Sequence, residues 1–389
     1  TLGQLHYYYQ RLANCFERCR SILIRLLVYS MKNRLYIILI GILSSLISSC
    51  QQSADEEIVL PPNNISITFT LAFDELSSAT RAAWSSNETA SDASPGNEFE
   101  NQIDLTSENG LQVFIYSTDG QTCLSKVTDE DIVRLEENGR IVYQFTGDAL
   151  IDSRYIQNNS LNCRLMVFAN CDKIDTTSGL TGLYNQFDAN AFRNQSQYIP
   201  MWGVKQCTLN LSKGDLSMVD GYIYLLRSMA KVEVKLDSSI ADQFDLNNVS
   251  VSAYNIKSNV LPNGYAAATT TEAMDMQSVF NPNTSAKGSN LYFTKVSNDE
   301  YCLYLPEYQN VEADAATMTV RIADNDYSLE FKDYENNVPF NIVRNHCYQY
   351  IITGISTKEN VLLLYQSIPW TDVSNRDLTF GNGDGNAMN

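Results

Sequence analysis

The sequence predicts an all-β protein of the sandwich type, and three observations support this prediction. Short runs of alternating apolar and polar residues recur along the chain, with the two-residue period of a strand that buries one face. Turn signals rich in Asn, Gly and Asp separate these runs, and long stretches with the 3.6-residue period of a helix are few. From Cys50 onward the chain is long enough for two domains, and we place their boundary near residues 225–235.

The clearest strand signal is the segment 65–73. Small or polar residues separate its apolar residues, which all fall on one face: Ile65, Ile67, Phe69, Leu71 and Phe73. This period predicts a strand with one face in the core. The next segment, 77–98, is rich in Ser, Thr, Ala and Asn and predicts a surface loop that proteases can reach.

Strand-like runs continue to the end of the chain. They are residues 111–116, 140–145, 163–169, 222–236, 249–254, 301–305, 317–322, 327–331, 348–352, 361–365 and 377–380. Asn138-Gly139 is a hairpin signal, and residues 174–192 indicate short helices or irregular structure. The acidic stretches 324–326 and 333–337 lack the Gly and the last Glu of an EF-hand loop, so they predict hairpin turns.

A secretory signal precedes this β-rich body. Lys32 and Arg34 are followed by the apolar run 35–47 and then by small residues, which is the pattern of a signal peptide over residues 31–49. The alternative, a transmembrane anchor, needs about 20 apolar residues, more than this run offers. We therefore expect residues 1–30 to be an upstream extension that takes no part in the fold.

The signal ends in a pattern that resembles a bacterial lipobox. Residues 47–50 read Ile-Ser-Ser-Cys, and the resemblance implies that the sulfur of Cys50 carries a diacylglycerol and that Cys50 becomes the new N-terminus. The acidic residues 55–57 resemble the surface-export signal of Bacteroidales lipoproteins. A solvated tether over residues 50–63 is the simpler interpretation and holds in either case.

Charge and cysteine content exclude several classes of function. The net charge is −18, and without residues 1–49 the chain has 21 basic against 44 acidic residues, which argues against nucleic acid and anionic membranes as partners. Wide spacing and the lack of a C-x-x-C pair argue against a disulfide framework and a zinc ribbon. We expect free cysteines in strands, with a Cys163–Cys171 bridge left open; the six after Cys50 are Cys123, Cys163, Cys171, Cys207, Cys302 and Cys347.

No pattern in the chain indicates catalysis, a metal or a cofactor. Beyond the signal there is a single histidine, His346, which enters a predicted strand and has no partner suited to a catalytic triad. Nucleotide-binding glycine motifs are absent from the sequence. We expect a protein that is not an enzyme, although two carboxylates distant in sequence could still form a hydrolase site.

Several short motifs, taken in order, resemble the fimbrillins of Bacteroidales, the subunits of the type V pilus, together with their anchor relatives. The lipobox at Cys50 and the strand 65–73 come first. The others are Thr80-Arg81-Ala82, Ile-Pro-Met-Trp-Gly at 199–203, Leu-Arg-Ser-Met-Ala-Lys-Val-Glu-Val at 226–234, Tyr-Leu-Pro-Glu at 304–307, Pro-Phe-Asn-Ile-Val-Arg-Asn-His-Cys-Tyr at 339–348 and Ile-Pro-Trp at 368–370. The resemblance implies two tandem transthyretin-like β-sandwich domains, residues 64–228 and 229–389, with short helices in loops.

The resemblance also implies a route of assembly. A lipidated precursor reaches the cell outer membrane, and a trypsin-like protease cuts after Arg81, so that Ala82 becomes the first residue. The strand that carries Ile65, Ile67, Phe69, Leu71 and Phe73 leaves with the lipid, and a C-terminal strand of another subunit takes its place in the fimbrium. We expect this donor strand to include Val361, Leu362, Leu363, Leu364 and Tyr365, with an ordinary central strand of the second domain as an equal alternative.

Three functional hypotheses therefore remain. The first is a pilus subunit with a role in adhesion to a host or bacterial surface receptor, with other fimbrial subunits as partners. An uncut fimbrial anchor is its variant. The second is a glycan-binding surface lipoprotein, in which Trp84, Trp202 or Trp370 stacks on sugars. The third and weakest is the hydrolase with distant carboxylates.

Overall fold

The computed structural model describes residues 62–73, 100, 102–137, 140–192, 197–211, 216–267, 269–276, 287–310, 315–333, 337–356 and 361–369. All of them lie in one compact unit, Pro61–Asn389. The described part is all-β and sandwich-like, as the sequence predicts. Its helices are short and lie in loops: α1 Leu180–Leu183, α2 Ser238–Ala241 and the 3₁₀ helices Ser153–Tyr155, Ala189–Phe192 and Ala273–Met276.

The first ten strands occupy the chain up to Arg227. They are β1 Asn63–Ala72, β2 Leu111–Ser117, β3 Cys123–Lys126, β4 Thr128–Glu137, β5 Arg140–Ile151, β6 Ser160–Ala169, β7 Gln186–Asp188, β8 Met201–Asn210, β9 Ser217–Tyr224 and β10 Leu226–Arg227. Sheet I has the order β4-β5-β1-β9, and sheet II has the order β10-β8-β6-β2-β3. The inner faces of these two sheets share one apolar core, which includes Phe69, Phe145, Val113 and Leu165.

Fourteen further strands follow, again in chain order. They are β11 Met229–Leu236, β12 Leu246–Ser252, β13 Tyr254–Asn255, β14 Lys257–Asn259, β15 Lys287–Gly288, β16 Leu291–Tyr292, β17 Thr294–Lys295, β18 Glu300–Pro306, β19 Thr317–Ile322, β20 Asn325–Glu330, β21 Lys332–Asp333, β22 Val338–Pro339, β23 His346–Ile355 and β24 Val361–Pro369. Sheet III has the order β17-β18-β11-β23-β24, and sheet IV has the order β16-β12-β19-β20. These two sheets share a second core, which includes Val232 and Val320.

Residues from the second half of the chain pair with and pack against elements of the first half. Strand β14 pairs with β7, and residues Val260, Leu261 and Tyr265 pack on the outer face of sheet II. The middle of sheet II is therefore buried on both faces, which explains why β2 and the second half of β6 are buried along nearly their whole length. Because every described residue belongs to one compact unit, the predicted boundary at 228/229 stays a prediction.

The predicted hairpins are present in the structure. Strands β4 and β5 pair antiparallel on either side of Asn138-Gly139, with Glu137 opposite Arg140. Strands β19 and β20 are joined by a turn at residues 323–324, so that the rest of the acidic stretch 324–326 begins β20, and β21 and β22 pair on either side of 334–337. The predicted run 222–236 divides between the end of β9, β10 and β11, whereas β4, β8 and the first part of β9 were not predicted from the sequence.

Candidate functional site

Strand β1 occupies the place between β5 and β9 in sheet I. It pairs antiparallel with β5 in an unbroken register, from Asn63 opposite Ile151 to Leu71 opposite Tyr143. On its other side β1 runs parallel to β9, which comes more than a hundred residues later in the chain. In the order of sheet I, β5 and β9 meet only through β1. Removing β1 would therefore leave a groove one strand wide, with an unpaired strand edge on each side.

The inner face of β1 fills the first core, as the two-residue period predicts. Its inward apolar side chains, together with Phe73 directly after the strand, each have a solvent exposure of 7% or less; they are Ile65, Ile67, Phe69, Leu71 and Phe73. The ring of Phe69 stacks on Phe145 with a centroid distance of 4.6 Å, and Phe73 lies edge-on to Tyr143 at 5.9 Å. Burying five such side chains contributes about 10 kcal/mol, which is comparable with the whole stability of a typical domain, about 5–15 kcal/mol.

The outer face of β1 is tied to β5 by polar side chains. The hydroxyl groups of Thr68 and Thr146 lie 2.8 Å apart, and Ser66 Oγ donates to Asp148 Oδ1. The parallel side is less regular, because the register with β9 shifts between Thr68 and Thr70. Gly221, which lies in the shifted part of β9, has a φ of +70°, a backbone angle that favours glycine. An open groove would thus present one regular edge, β5, and one irregular edge, β9.

Strand β24, which contains the predicted donor residues, lies at an end of sheet III and pairs antiparallel with β23. Val361 and Leu363 are buried in the second core, whereas Leu362 is 42% exposed and Leu364 is partly buried. Tyr365 belongs to the strand, opposite Tyr350. As the alternative predicts, β24 is a strand of the second core, but among the described strands it lies at the edge of sheet III and not at its centre, and Leu362 is exposed. The donor role stays a prediction.

Three of the motifs that resemble fimbrillins meet in one buried polar cluster. Lys231 Nζ lies 2.9 Å from Glu100 Oε1 and 2.8 Å from Glu233 Oε1, and all three side chains are buried. Tyr304 Oη donates to Glu100 Oε1 at 2.5 Å, and Arg227 Nε donates to the carbonyl oxygen of Glu100 at 3.1 Å. Burial alone would lower the pKa of Lys231, but the carboxylates of Glu100 and Glu233 outweigh it and hold this pKa well above its usual value.

The same cluster continues toward the third motif. Arg227 Nη1 donates to Asn345 Oδ1 at 2.8 Å, and the buried Arg344 pairs with Glu307 and donates to the carbonyl oxygen of Val260 at 2.8 Å. These charged residues are structural, because each is enclosed by its partners. Glu100 follows the predicted loop 77–98 in the sequence, and its ion pair with Lys231 connects this part of the chain to β11.

A cleft of about 500 Å³ forms a second candidate site, with a volume in the range of small-ligand sites. Asp104, Asp172 and Asp188 line it, together with Lys257 and the aromatic rings of Phe187 and Tyr198. The cleft therefore combines an excess of carboxylates with aromatic surface, which suits neutral, hydroxyl-rich ligands better than anionic ones.

The remaining predicted site residues divide into two groups. Some lie outside the described residues: Cys50, Arg81, Ala82, Trp84 and Trp370. Trp202 is fully buried and packs edge-on against Tyr265 at 5.3 Å, so its prediction as a sugar-stacking residue is wrong.

His346 is partly buried, and its Nδ1 donates to the carbonyl oxygen of Arg344 at 3.0 Å. Burial lowers its pKa. Among the residues that the structure describes, no group of three His, Cys, Asp or Glu side chains could hold a metal ion. The described part of the chain also contains no helix long and apolar enough to cross a membrane.

The chain is similar to solved structures of Bacteroides proteins. One is a "putative cell adhesion protein" of Bacteroides uniformis, with 9% identity, coverage of 79% of this chain and 98% of that one, and a TM-score of 0.46. Another protein of the same description, from Bacteroides eggerthii, has 11% identity, coverage of 80% and 98%, and a TM-score of 0.39. A "putative adhesin" of Bacteroides thetaiotaomicron has 10% identity, coverage of 81% and 98%, and a TM-score of 0.36. No model of a known protein family and no curated protein matches the chain.

Proposed function

We propose that this protein is a cell-surface adhesion protein of the pilus type, assembled by strand exchange in sheet I. The observation that carries the proposal is the place of β1, which alone joins β5 to β9 in the order of that sheet. Loss of β1 would open two strand edges and uncover an apolar floor that includes Phe145. An extended segment of another subunit could restore both the hydrogen bonds and the core.

A single cut after Arg81 would couple release from the membrane to opening of the groove. Cys50 and β1 precede Arg81 in the chain, whereas Glu100 follows it. The ion pair between Glu100 and Lys231 would hold the new N-terminal segment on the folded body after cleavage. The lipid and β1 would then depart together from a protein that is otherwise intact.

Strand β24 and the residues after it are the proposed donor segment. An edge strand such as β24 pairs on one side, with β23, so its release breaks fewer hydrogen bonds than release of a central strand would. Val361 and Leu363 are two residues apart and lie on the same face of the strand, as side chains that fill the apolar floor of the groove must. The partners in this proposal are other fimbrial subunits at the outer membrane and a receptor on a host or bacterial surface.

Limited trypsin treatment of the purified protein tests the proposal. We expect the first cut after Arg81, followed by a ladder of oligomers on size-exclusion chromatography and denaturant-free gels. The Arg81→Gln variant should stay monomeric, whereas Arg154→Gln, which removes an exposed arginine elsewhere, should be cut and should polymerise as the wild type does. A protein that is cut after Arg81 and remains monomeric would contradict strand exchange.

The uncut anchor is distinguished by the N-terminus of the protein isolated from cells. A free Ala82 identifies a polymerising subunit, whereas an acylated Cys50 identifies an anchor. In both cases we propose a role without catalysis. The hydrogen bond of His346 to the carbonyl group of Arg344 gives this histidine a structural role at the start of β23.

The cleft supports glycan binding as a second candidate function. Its carboxylates and its aromatic rings, Phe187 and Tyr198, are typical of a site for neutral sugars. Titration with soluble neutral polysaccharides should show saturable binding that Tyr198→Ala weakens at least tenfold. Tyr292→Ala, which alters a tyrosine that is 56% exposed and outside the cleft, should bind as the wild type does. Absence of saturable binding would remove this candidate.

A further inference from the structure

Two cysteines face each other across neighbouring strands of sheet II. Cys163 in β6 is directly opposite Cys207 in β8, and their Sγ atoms lie 3.7 Å apart. Residues directly opposite in an antiparallel pair have Cα atoms about 4.5–5.5 Å apart, within the range of about 4.4–6.8 Å that disulfides need. We propose that Cys163 and Cys207 form a cross-strand disulfide when the protein meets a small-molecule or protein disulfide as oxidant.

The two thiols differ in solvent exposure and in pKa, and this difference predicts which of them reacts first. Cys163 is fully buried, whereas Cys207 is partly exposed and can meet an oxidant. The hydrogen bond between the two thiols, aided by the charge of Lys205, lowers the pKa of Cys207 although burial opposes this. The same hydrogen bond, together with burial, raises the pKa of Cys163. Negative charge is therefore favoured on the more accessible sulfur.

The thiol–disulfide exchange between this pair and the oxidant takes place in two steps. The Cys207 thiolate attacks one sulfur of the oxidant disulfide, whose S–S bond breaks and releases one thiolate. Cys163 then loses its proton to solvent and attacks Cys207 Sγ, which expels the second half of the oxidant as a thiolate. The two protein thiols are oxidised to one disulfide, and the oxidant disulfide is reduced to two thiols.

The other described cysteines have different partners. Cys171, the alternative partner of Cys163 in the sequence analysis, has its Sγ 3.9 Å from Gln112 Nε2, and burial raises its pKa to about 12. Cys123 donates to the carbonyl oxygen of Ser125 at 3.7 Å. Cys302 and Cys347 lie on strands β18 and β23, which β11 separates. The geometry thus singles out one pair, on the face of sheet II that packs against sheet I.

Thiol counting and peptide mapping test the proposal on the purified wild-type protein. Incubation with oxidised glutathione near pH 8, followed by alkylation in denaturant, should remove two thiols per chain and yield one linked peptide pair that contains Cys163 and Cys207. The variants Cys163→Ser and Cys207→Ser should each abolish this pair, and the control Cys302→Ser should retain it. Retention of all thiols, a lasting glutathione adduct on Cys207 or a link from Cys163 to Cys171 would each overturn the proposal.

Discussion

Lys231 Nζ lies 2.9 Å from Oε1 of Glu100, and both side chains are almost completely buried. This ion pair joins the segment just after the predicted loop 77–98 to β11, the central strand of sheet III. The chain is therefore anchored on one side of that loop by a buried charge pair and on the other side by the apolar face of β1. A cut within this predicted loop would separate the apolar contacts of β1 from the buried ion pair of Glu100 with Lys231.

The buried pair should be far more important for stability than a surface pair. Lys231→Met leaves the carboxylates of Glu100 and Glu233 buried without their cation, so we expect a loss of about 3–5 kcal/mol in the free energy of unfolding. Lys332→Met, which breaks a more exposed pair with Glu330, should cost at most about 1 kcal/mol. Urea unfolding of both variants measures this difference, and equal losses would contradict the structural role of Lys231.

The strand-exchange proposal predicts that Phe69 contributes to the stability of the protein only before cleavage. Phe69→Ala removes a ring stacked on Phe145 and should lower the stability of the uncut protein by about 3–5 kcal/mol. The cut and assembled polymer no longer contains β1, so its thermal stability should equal that of the wild-type polymer. Phe145→Ala should instead weaken both forms, because Phe145 remains on the floor of the groove. A polymer weakened equally by both variants would show that β1 stays in place.

Glu300 provides a pH-dependent prediction. It is buried, and burial, followed by the nearby charge of Glu233, raises its pKa. A carboxyl group with a raised pKa in the fold contributes its stability below the unfolded value of about 4.3 and loses it as the pH rises through the folded value. Glu300→Gln removes a buried carboxylate at neutral pH, so it should raise the free energy of unfolding at pH 7.

The gain from Glu300→Gln should disappear below about pH 4, where the wild-type side chain is protonated in both states. Urea unfolding at several pH values measures it. Glu108→Gln, which alters an exposed carboxylate, should change stability little at any of these pH values. A gain for Glu300→Gln that is independent of pH would show that charge is not its cause.

The sequence predicts the fold best where a strand has one buried and one open face. Strand β1 shows the two-residue period, and its inner face is buried as predicted. Strand β4 was missed because its sequence is acidic and mostly exposed, and its pairing with β5 outweighs weak strand propensity. The burial of Lys231 could not be predicted either, since Glu100 comes from a distant part of the chain and a local pattern shows no partner.

The candidate site could be predicted in part. The apolar face of β1 follows from its period, but its place between β5 and β9 depends on pairing over long sequence distances. The facing pair Cys163 and Cys207 likewise depends on the register of β6 with β8, and the spacing of the cysteines left only a Cys163–Cys171 bridge open. A local sequence pattern predicts which face of a strand is buried, whereas the pairing register between strands determines which residues lie opposite each other.

A photo-crosslinking measurement tests most directly whether another strand replaces β1. Thr146 lies on the outer face of β5 directly opposite Thr68, so a benzophenone amino acid at position 146 reports which strand occupies the groove. In the uncut protein, illumination should link position 146 to residues 63–72 of the same chain. After the cut at Arg81 and assembly, we predict links to residues 361–389 of another copy. Continued links to residues 63–72, or none to a second copy, would contradict strand exchange.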